Sequence, residues 1–310
     1  MTPLRSAPVA TIAAAFDIGS NTIKMTVARL NHAGLLVEIG GGTATVRLGA
    51  GVMETGRLAG DRIAAALAAL DQLSTEARAL GATRLIGVAT EATRVATNGP
   101  EFLNQVEARF GIQIRVISGL EEAALTFRGL AVTTDVTGSL LIADIGGGST
   151  ELIQVRESQP FAAHSLRLGS GALTDQFVRA DPPSATELAA CGAEAAARLA
   201  AHGELPPPGT RLLAVGGTGE YLARLAEPAA PLSATSIARV LTRLQGVAAA
   251  PLAEELAITE ARARVLPAGI AIIAAIVDWL RPPRVDVARS GIRTGLLLEL
   301  REEERLGARA

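Results

Sequence analysis

Apolar runs separated by glycine-rich turns are the dominant pattern of this sequence, and the most regular example spans residues 140–155. Residues 140–143 are uniformly apolar, which is typical of a strand that is buried on both faces. Three consecutive glycines at 146–148 then remove every Cβ, so the backbone can reach positive φ and approach another group closely. Because a second, mainly apolar run follows at 152–155, the pattern predicts a hairpin.

A second copy of this hairpin pattern lies near the N-terminus, at residues 15–27. When the copies are aligned on Asp17 and Asp144, both continue with Ile-Gly, and Lys24 falls opposite Glu151. A repeat at this separation predicts two lobes of similar build. Two such hairpins facing each other would form a cleft between the lobes, which is a usual location for a small-molecule site.

The remaining pattern predicts an α/β chain in which strands alternate with helices. Strands are expected near 34–39, 43–49, 84–90, 112–117, 161–168, 211–215 and 284–288, and helices near 59–80, 100–110, 184–202, 232–247, 258–280 and 296–306. Further helices are expected to begin near 119 and 217, and residues 169–171 are expected to form a glycine turn. A polar connector at 133–138 divides the chain into lobe I (1–132) and lobe II (133–296), and the last helix (about 297–310) should pack back on lobe I.

Composition narrows the functional class. The chain has 310 residues, of which 49% are hydrophobic, and this is enough for two cored domains. A net charge of −2 provides no basic field, so neither nucleic acid nor an anionic membrane is an expected partner. The apolar segment 266–280 is shorter than a bilayer span and is expected to be a buried helix. A lone Cys191 cannot form an internal disulfide and no targeting segment is convincing, so we expect a cytoplasmic protein.

The hairpin turns carry groups that suit phosphate and a divalent cation. Free N–H groups of the glycines and the hydroxyls of Ser149 and Thr150 can donate to phosphate oxygens, while Asp144 and Glu151 place a carboxylate on each side. Alternatively, the glycines only form a tight turn, because short glycine-rich matches have many false positives. Lys24, the only lysine in the chain, is either a phosphate ligand or a surface residue of the first hairpin.

Three other positions are candidates for the chemistry. Arg94 lies just past the C-terminal end of a predicted strand, where ligands of α/β sheets usually bind. Glu121 and Glu122 lie in the first turn of a predicted helix, where acids commonly cap the helix and complement its dipole. One of the two could instead project into the cleft as a general base. The Gly217–Thr218 turn precedes a helix, whose N-terminus can bind an anion.

In this order, the motifs resemble the exopolyphosphatase/guanosine pentaphosphate phosphohydrolase (Ppx/GppA) family, within the actin-like, hexokinase and heat-shock-70 ATPase superfamily. The resemblance runs nearly end to end and is most specific where Ile-Ser-Gly-x-Glu-Glu-Ala is combined with Asp-Ile-Gly-Gly-Gly-Ser-Thr-Glu. It is carried by residues 17–22, 89–94, 117–123, 144–151, 215–218 and 290–295. The resemblance implies a two-lobed, actin-like (ribonuclease H-like) fold and a metal-dependent phosphohydrolase that removes the terminal phosphate of a linear phosphate chain.

The resemblance also implies roles for single residues. Glu122 matches the family's catalytic glutamate and would orient the attacking water, with Glu121 as the fallback, and Arg94 would neutralise a phosphate oxygen. The expected ligands of Mg²⁺, or of another hard divalent cation, are Asp144, Glu151 and Asp17. The expected phosphate-binding residues are Ser20, Asn21, Thr22, Lys24, Gly146, Gly147, Gly148, Ser149, Thr150, Gly217 and Thr218. The arginines that could line the path of a longer chain, each alone more typical of a structural role, are Arg47, Arg167 and Arg293.

The expected substrate is inorganic polyphosphate, and three alternatives stay open. The substrate could be guanosine pentaphosphate (pppGpp), the chain could be a weakly catalytic sensor of (p)ppGpp or polyphosphate, or it could be an actin-like ATPase or sugar kinase. The chain resembles the short form of the family, without the C-terminal helical (HD-like) extension that helps to grip long chains. Thr294 stands where the family commonly has glutamate. The oligomeric state is not fixed by the sequence, and a homodimer is one candidate.

Overall fold

The structure is a computed structural model that describes residues 11–30, 36–203, 206–226, 232–289 and 291–307. Three predicted features therefore fall partly outside the described residues: the start of the strand expected at 34–39, Ser290 of the closing motif, and the end of the last helix expected at about 297–310.

Two five-stranded mixed sheets with the same topology form the framework. The strands are β1 (Thr11–Ile18), β2 (Thr22–Leu30), β3 (Leu36–Thr45), β4 (Arg84–Ala89), β5 (Gln113–Val116), β6 (Leu140–Ile145), β7 (Thr150–Arg156), β8 (Gln159–Leu166), β9 (Arg211–Val215) and β10 (Val285–Ala288). The sheet orders are β3-β2-β1-β4-β5 and β8-β7-β6-β9-β10. In each sheet the first three strands of the sequence pair antiparallel and the last two run parallel to the first. The predicted α/β fold with two similar lobes is confirmed.

Helices cover these sheets. They are α1 (Val52–Thr55), α2 (Gly60–Ala79), α3 (Glu91–Val95), α4 (Gly99–Phe110), α5 (Gly119–Leu130), α6 (Ser170–Phe177), α7 (Ala185–His202), α8 (Gly216–Leu225), α9 (Ala234–Leu244), α10 (Ala249–Leu256), α11 (Glu260–Leu280) and α12 (Ile292–Gly307). Below, lobe I denotes the sheet β1–β5 with α1–α5 and α12, and lobe II denotes the sheet β6–β10 with α6–α11.

Two predictions about the helices of lobe II were wrong. An additional helix, α10, forms in the gap between the two helices expected at 232–247 and 258–280, and it ends where Ala257 adopts a left-handed conformation (φ 51°). Helix α6 forms where only a glycine turn was expected. Its first N–H groups donate to the β6–β7 turn: Ser170 N lies 2.9 Å from the carbonyl oxygen of Gly146. This helix start is therefore fixed by a segment distant in sequence.

Helix α11 is the centre of the lobe II core. It packs on α6, α7, α9 and α10, and its apolar side chains are buried with those of β6 and β9. The helix is long and apolar enough to cross a membrane, but 78% of its most apolar window is buried inside the protein. The expectation of a buried helix at 266–280 is therefore met.

Helix α12 packs against α5 through glycines that bring the two backbones into contact. A Cβ at Gly295 would lie 2.1 Å from the carbonyl oxygen of Leu125, and one at Gly129 would lie 1.9 Å from that of Gly291. The leucines of α12 pack with Ala13 and Ala15 of β1. The helix begins at 292, earlier than the predicted 296. Gly295 is part of the helix, where it allows the close contact with α5, and is not a turn that precedes it. Helix α12 thus fixes α5 on lobe I.

We expect Gly295→Ala to lower the free energy of unfolding by about 1–3 kcal/mol, since the new methyl group has to displace backbone. The matched control is Gly192→Ala in α7, where an added Cβ would meet nothing within 4 Å. That change should stabilise the protein by up to about 1 kcal/mol, because alanine is the better helix former. Urea denaturation of both variants checks this, and equal stability of the two would contradict the proposed contact.

Candidate active site

The tips of the β1–β2 and β6–β7 hairpins touch each other between the lobes. A Cβ at Gly147 would lie 2.6 Å from the Cβ of Asn21, and one at Gly148 would lie 2.7 Å from the hydroxyl of Ser20. Only glycine permits so close an approach. The glycines of the second hairpin therefore do more than form a turn, because they also let the two lobes close on each other.

A small cavity of about 60 Å³ lies beside these tips and gathers most of the predicted site residues. The predicted residues that line it are Asp17, Ser20, Asn21, Thr22, Lys24, Glu122, Asp144, Gly146, Gly147, Gly148, Ser149 and Gly217. Residues from both hairpins, from α5 and from the start of α8 thus meet at one place, although the sequence separates them by up to two hundred positions.

Glu122 and Glu151 are carboxyl groups in a crowded, desolvated setting. Burial, followed by the negative charges of Glu151, Asp17 and Asp144, raises the pKa of Glu122 well above its ordinary value. Its Oε2 is buried and has no hydrogen-bond partner among the described residues. Burial, with the charge of Asp144 second, raises the pKa of Glu151 to about 8. A raised pKa gives a carboxylate enough basicity to accept a proton near neutral pH.

The neighbouring Glu121 has a different role, although it differs from Glu122 only in position along α5. Its exposed carboxylate accepts hydrogen bonds at 2.8 Å from both the backbone N–H and the hydroxyl of Ser118. The hydroxyl of Ser118 in turn accepts from the N–H of Glu121, which completes a capping box. These bonds lower the pKa of Glu121. The structure does not support Glu121 as an alternative base, and the helix-cap interpretation applies to it alone.

Three cations accompany the carboxylates. Lys24 pairs across the β1–β2 hairpin with Asp17 and lines the cavity, so it is not a surface residue. Burial, followed by the charge of Arg293, lowers the pKa of Lys24, and burial raises the pKa of Asp17. The Nε of Arg293 donates to the Thr26 hydroxyl at 2.9 Å.

The third cation, Arg262, was not predicted from the sequence. Its buried side chain lines the cavity from α11, donates to the Thr218 hydroxyl at 3.4 Å and lies over the ring of Tyr221. Within the described part of the chain no carboxylate forms an ion pair with it, so its charge is free to bind an anion. The only sequence signal was a charged residue in the first turn of a helix that is otherwise typical of a core.

Four further predicted residues, besides Glu121 and the three chain-path arginines, lie outside the small cavity and have protein partners. Arg94 donates to the Glu91 carboxylate and, at 2.6 Å, to the carbonyl oxygen of Ile117. The Thr150 hydroxyl donates to a backbone carbonyl oxygen at 2.5 Å, which makes it a support for the turn. Thr218 accepts from Arg262, as described above. Glu151 is almost fully buried and accepts from the Ser165 hydroxyl at 2.7 Å.

The three arginines expected along one chain path do not lie together. Arg47 and Arg167 line a second cavity of about 280 Å³, which also borders the hairpin tips. Both form ion pairs across the lobes: Arg47 with Asp175, and Arg167 with Glu91 at 3.4 Å. Arg293, in contrast, lies on the side of the carboxylates. A role for Arg293 on the path of a longer chain stays a prediction.

A divalent cation fits this donor set only if water and phosphate oxygens complete its shell. Among the described residues no three His, Cys, Asp or Glu side chains converge to hold a metal by themselves. Asp144 and Glu151 are, however, direct cross-strand neighbours, and the Thr126 hydroxyl donates to Asp144 at 3.2 Å. Mg²⁺ typically binds one or two carboxylates and keeps several waters or phosphate oxygens. Burial, and after it the charge of Asp144, raises the pKa of Glu151, and a bound cation would offset the cost of ionising these two carboxyl groups.

Comparison with known proteins points to one family. The profile of the Ppx/GppA phosphatase family matches residues 26–304. The chain is 28% identical to Exopolyphosphatase 1 of Mycobacterium tuberculosis over 309 residues, which cover 93% of this chain and 88% of that protein. A crystal structure of the Aquifex aeolicus member of the Ppx/GppA family is 27% identical, with a TM-score of 0.74 and coverage of 96% and 99% of the two chains. An exopolyphosphatase structure from Cytophaga hutchinsonii, 20% identical with a TM-score of 0.82 and coverage of 94% and 98%, shares the fold.

Replacement of Arg262 by methionine should weaken binding of tripolyphosphate at least about tenfold, because a desolvated charge-assisted contact is worth roughly 1.5–3 kcal/mol. The free energy of unfolding should stay the same or increase, since the Arg262 guanidinium is buried with no carboxylate paired to it among the described residues. The control is Arg264→Met. Arg264 lies on the same helix, but it donates to the carbonyl oxygens of Arg179 and Ala180, away from the small cavity. This variant should lose stability but keep affinity. Calorimetric titration of both variants decides, and unchanged affinity in Arg262→Met would contradict the assignment.

The Glu151 carboxyl should make stability of the metal-free protein depend on pH. Its pKa is raised from 4.5 to about 8 in the folded state, so the folded protein binds the extra proton between these values. The free energy of unfolding should therefore fall as pH rises through this window. Glu151→Gln should flatten the dependence when unfolding is measured in EDTA between pH 5 and 8. An unchanged slope in this variant would show that Glu151 is not the titrating group.

Proposed function

The chain belongs to the Ppx/GppA phosphatase family, and on that premise we propose that it is an exopolyphosphatase, which hydrolyses the terminal phosphoanhydride bond of inorganic polyphosphate. The observation that carries the proposal is the placement of Glu122. Its carboxylate lines the cavity beside both hairpin tips, and one of its oxygens lacks a protein partner among the described residues. A water molecule held by that oxygen would lie next to a phosphate bound by the tips.

In the proposed reaction, Glu122 accepts a proton from this water while the water oxygen attacks the terminal phosphorus. The bond from that phosphorus to the bridging oxygen breaks, so orthophosphate leaves and the shortened chain keeps the bridging oxygen with its negative charge. Such phosphoryl transfer depends mainly on positioning and on neutralisation of charge. Positioning is assigned to the N–H groups of the glycine turn and to Ser20, Asn21, Thr22 and Ser149.

Cations of the chain offset the charge that develops on the phosphate oxygens. Lys24 and Arg262 line the cavity, and Arg94 lies close enough to lower the pKa of both Glu122 and Glu151. We assign the binding of Mg²⁺, or of another hard divalent cation, to Asp144 and Glu151, with Asp17 as a further contributor. When bound, the cation would add positive charge at the phosphate oxygens.

Guanosine pentaphosphate is a second candidate substrate because of the adjoining 280 Å³ cavity. Its walls include Val52, Met53 and Leu173 alongside Arg47 and Arg167. Apolar and arginine surfaces suit a stacked nucleobase, whereas a bare phosphate chain gains nothing from apolar walls. This cavity therefore supports a substrate that carries a nucleoside at the end of its phosphate chain.

Glu122→Gln should lower the rate of phosphate release from polyphosphate at least about 10²-fold, because general-base catalysis contributes roughly 10²–10⁴. The amide keeps the shape of the side chain, so polyphosphate binding should persist. Glu121→Gln is the matched control: it changes a cap one residue away and should keep most of the activity. Wild-type rates in Glu122→Gln, with binding intact, would remove Glu122 as the base.

A further inference from the structure

A buried glutamate at the start of α3 lies where the two lobes meet. Glu91 is the first residue of α3, separated from β4 by Thr90 alone, and it is 6% exposed. A Cβ added at Gly148 would lie 3.1 Å from the Cγ of Glu91, so the glycine turn of lobe II packs directly against this lobe I side chain. Glu91 also lines the larger cavity together with Arg47 and Arg167.

The Glu91 carboxylate is shared by arginines from opposite lobes. Arg94, one turn further along α3, donates to its Oε2. Arg167 of lobe II approaches the other oxygen, Oε1, with its Nε at 3.4 Å. Oε1 is buried, and within the described residues it accepts no hydrogen bond of good geometry. The contact with Arg167 is therefore an ion pair that can tighten or open without breaking another bond of Oε1.

The second partner of Arg94 links this cluster to the catalytic helix. Its other terminal nitrogen donates at 2.6 Å to the carbonyl oxygen of Ile117, which directly precedes Ser118, the N-cap of α5. Glu91 on one side and Ile117 on the other thus hold the guanidinium of Arg94 between them. Arg94 is near enough to the reacting carboxylates for its charge to act on Glu122.

The net charge around Glu91 and Arg94 depends on whether Arg167 of lobe II is in contact with Glu91. Glu91 and Arg94 alone form a neutral pair, which has no net attraction for phosphate. The addition of Arg167 gives a cluster of two cations and one anion, with a net charge of +1. A buried carboxylate beside a phosphate site would otherwise repel the substrate, and in a low dielectric this repulsion is poorly screened.

We propose that Glu91 is a positioning residue that couples closure of the lobes to the charge and placement of Arg94. When the lobes close, Arg167 takes a share of the Glu91 carboxylate, and Arg94 keeps its position while regaining positive charge for the substrate phosphate. The proposal rests on the phosphohydrolase function proposed above, and it makes Arg167 a lobe II residue that acts through Glu91 and not through the substrate.

A double-mutant cycle with polyphosphate as substrate tests the coupling. Glu91→Gln and Arg167→Gln should each lower kcat about tenfold with little change in KM, since each misplaces the same guanidinium. The double variant should be no slower than either single variant, because residues that act through one network are not additive. Arg167→Lys should restore part of kcat. Multiplied losses in the double variant, or a loss confined to KM, would overturn the proposal.

Arg47→Gln provides the control. Arg47 also forms an ion pair across the lobes and lines the same cavity, but its partner is Asp175 and not Glu91. In the double variant of Arg47→Gln and Glu91→Gln, the two fold-losses of kcat should therefore multiply, as expected for independent residues. Equal coupling of Glu91 to Arg47 and to Arg167 would show that the cycle reports only general loosening of the lobes.

Amide hydrogen exchange separates failure of this proposal from failure of the proposed function. If the wild-type protein releases no phosphate from polyphosphate, the function fails, but the coupling can still be measured. Glu91→Gln and Arg167→Gln should each speed exchange in residues 145–149, and the double variant should add nothing further. Additive exchange would overturn the coupling whatever the enzyme acts on.

Discussion

Helix α5 is held at both ends by contacts that leave no room for a Cβ, and the site depends on this constraint. At its start, a Cβ on Gly119 would lie 2.2 Å from the Cβ of Ser165 in lobe II. At its end, Gly129 touches the backbone of Gly291 before α12. The helix therefore contacts the sheet of lobe II and helix α12 of lobe I, and its position sets that of Glu122. A helix fixed in this way can present a carboxylate to a cleft that belongs to neither lobe alone.

The cleft contains buried ionisable side chains, whose charged forms are unfavourable in the absence of a ligand. Glu122, Glu151 and Asp144 all have raised pKa values because burial disfavours their ionised forms. Lys24 and Arg262 offset part of this charge but are themselves desolvated. Residues of opposite sign that stay incompletely paired are typical of sites whose ligand supplies the missing partners. Phosphate oxygens and a hard cation would supply both signs at once.

Local sequence pattern was sufficient for the framework and for much of the site. Alternation of apolar runs and glycine turns located both hairpins, and their alignment placed Asp17 and Asp144 at equivalent strand ends. The pattern failed where a distant segment decides the structure. Helix α6 starts on the β6–β7 turn, Arg262 comes from a core helix, and Glu91 gains its partner Arg167 only when the lobes meet. Nothing in the neighbouring sequence of these residues encodes such contacts.

Parallel measurements of phosphate release test most directly whether the cleft cleaves a phosphate chain. Purified protein would be assayed with inorganic polyphosphate, pppGpp and ATP, each with Mg²⁺ and with EDTA. We expect Mg²⁺-dependent release from polyphosphate or pppGpp that exceeds release from ATP. Turnover of ATP alone, or release that is unaffected by EDTA, would contradict it.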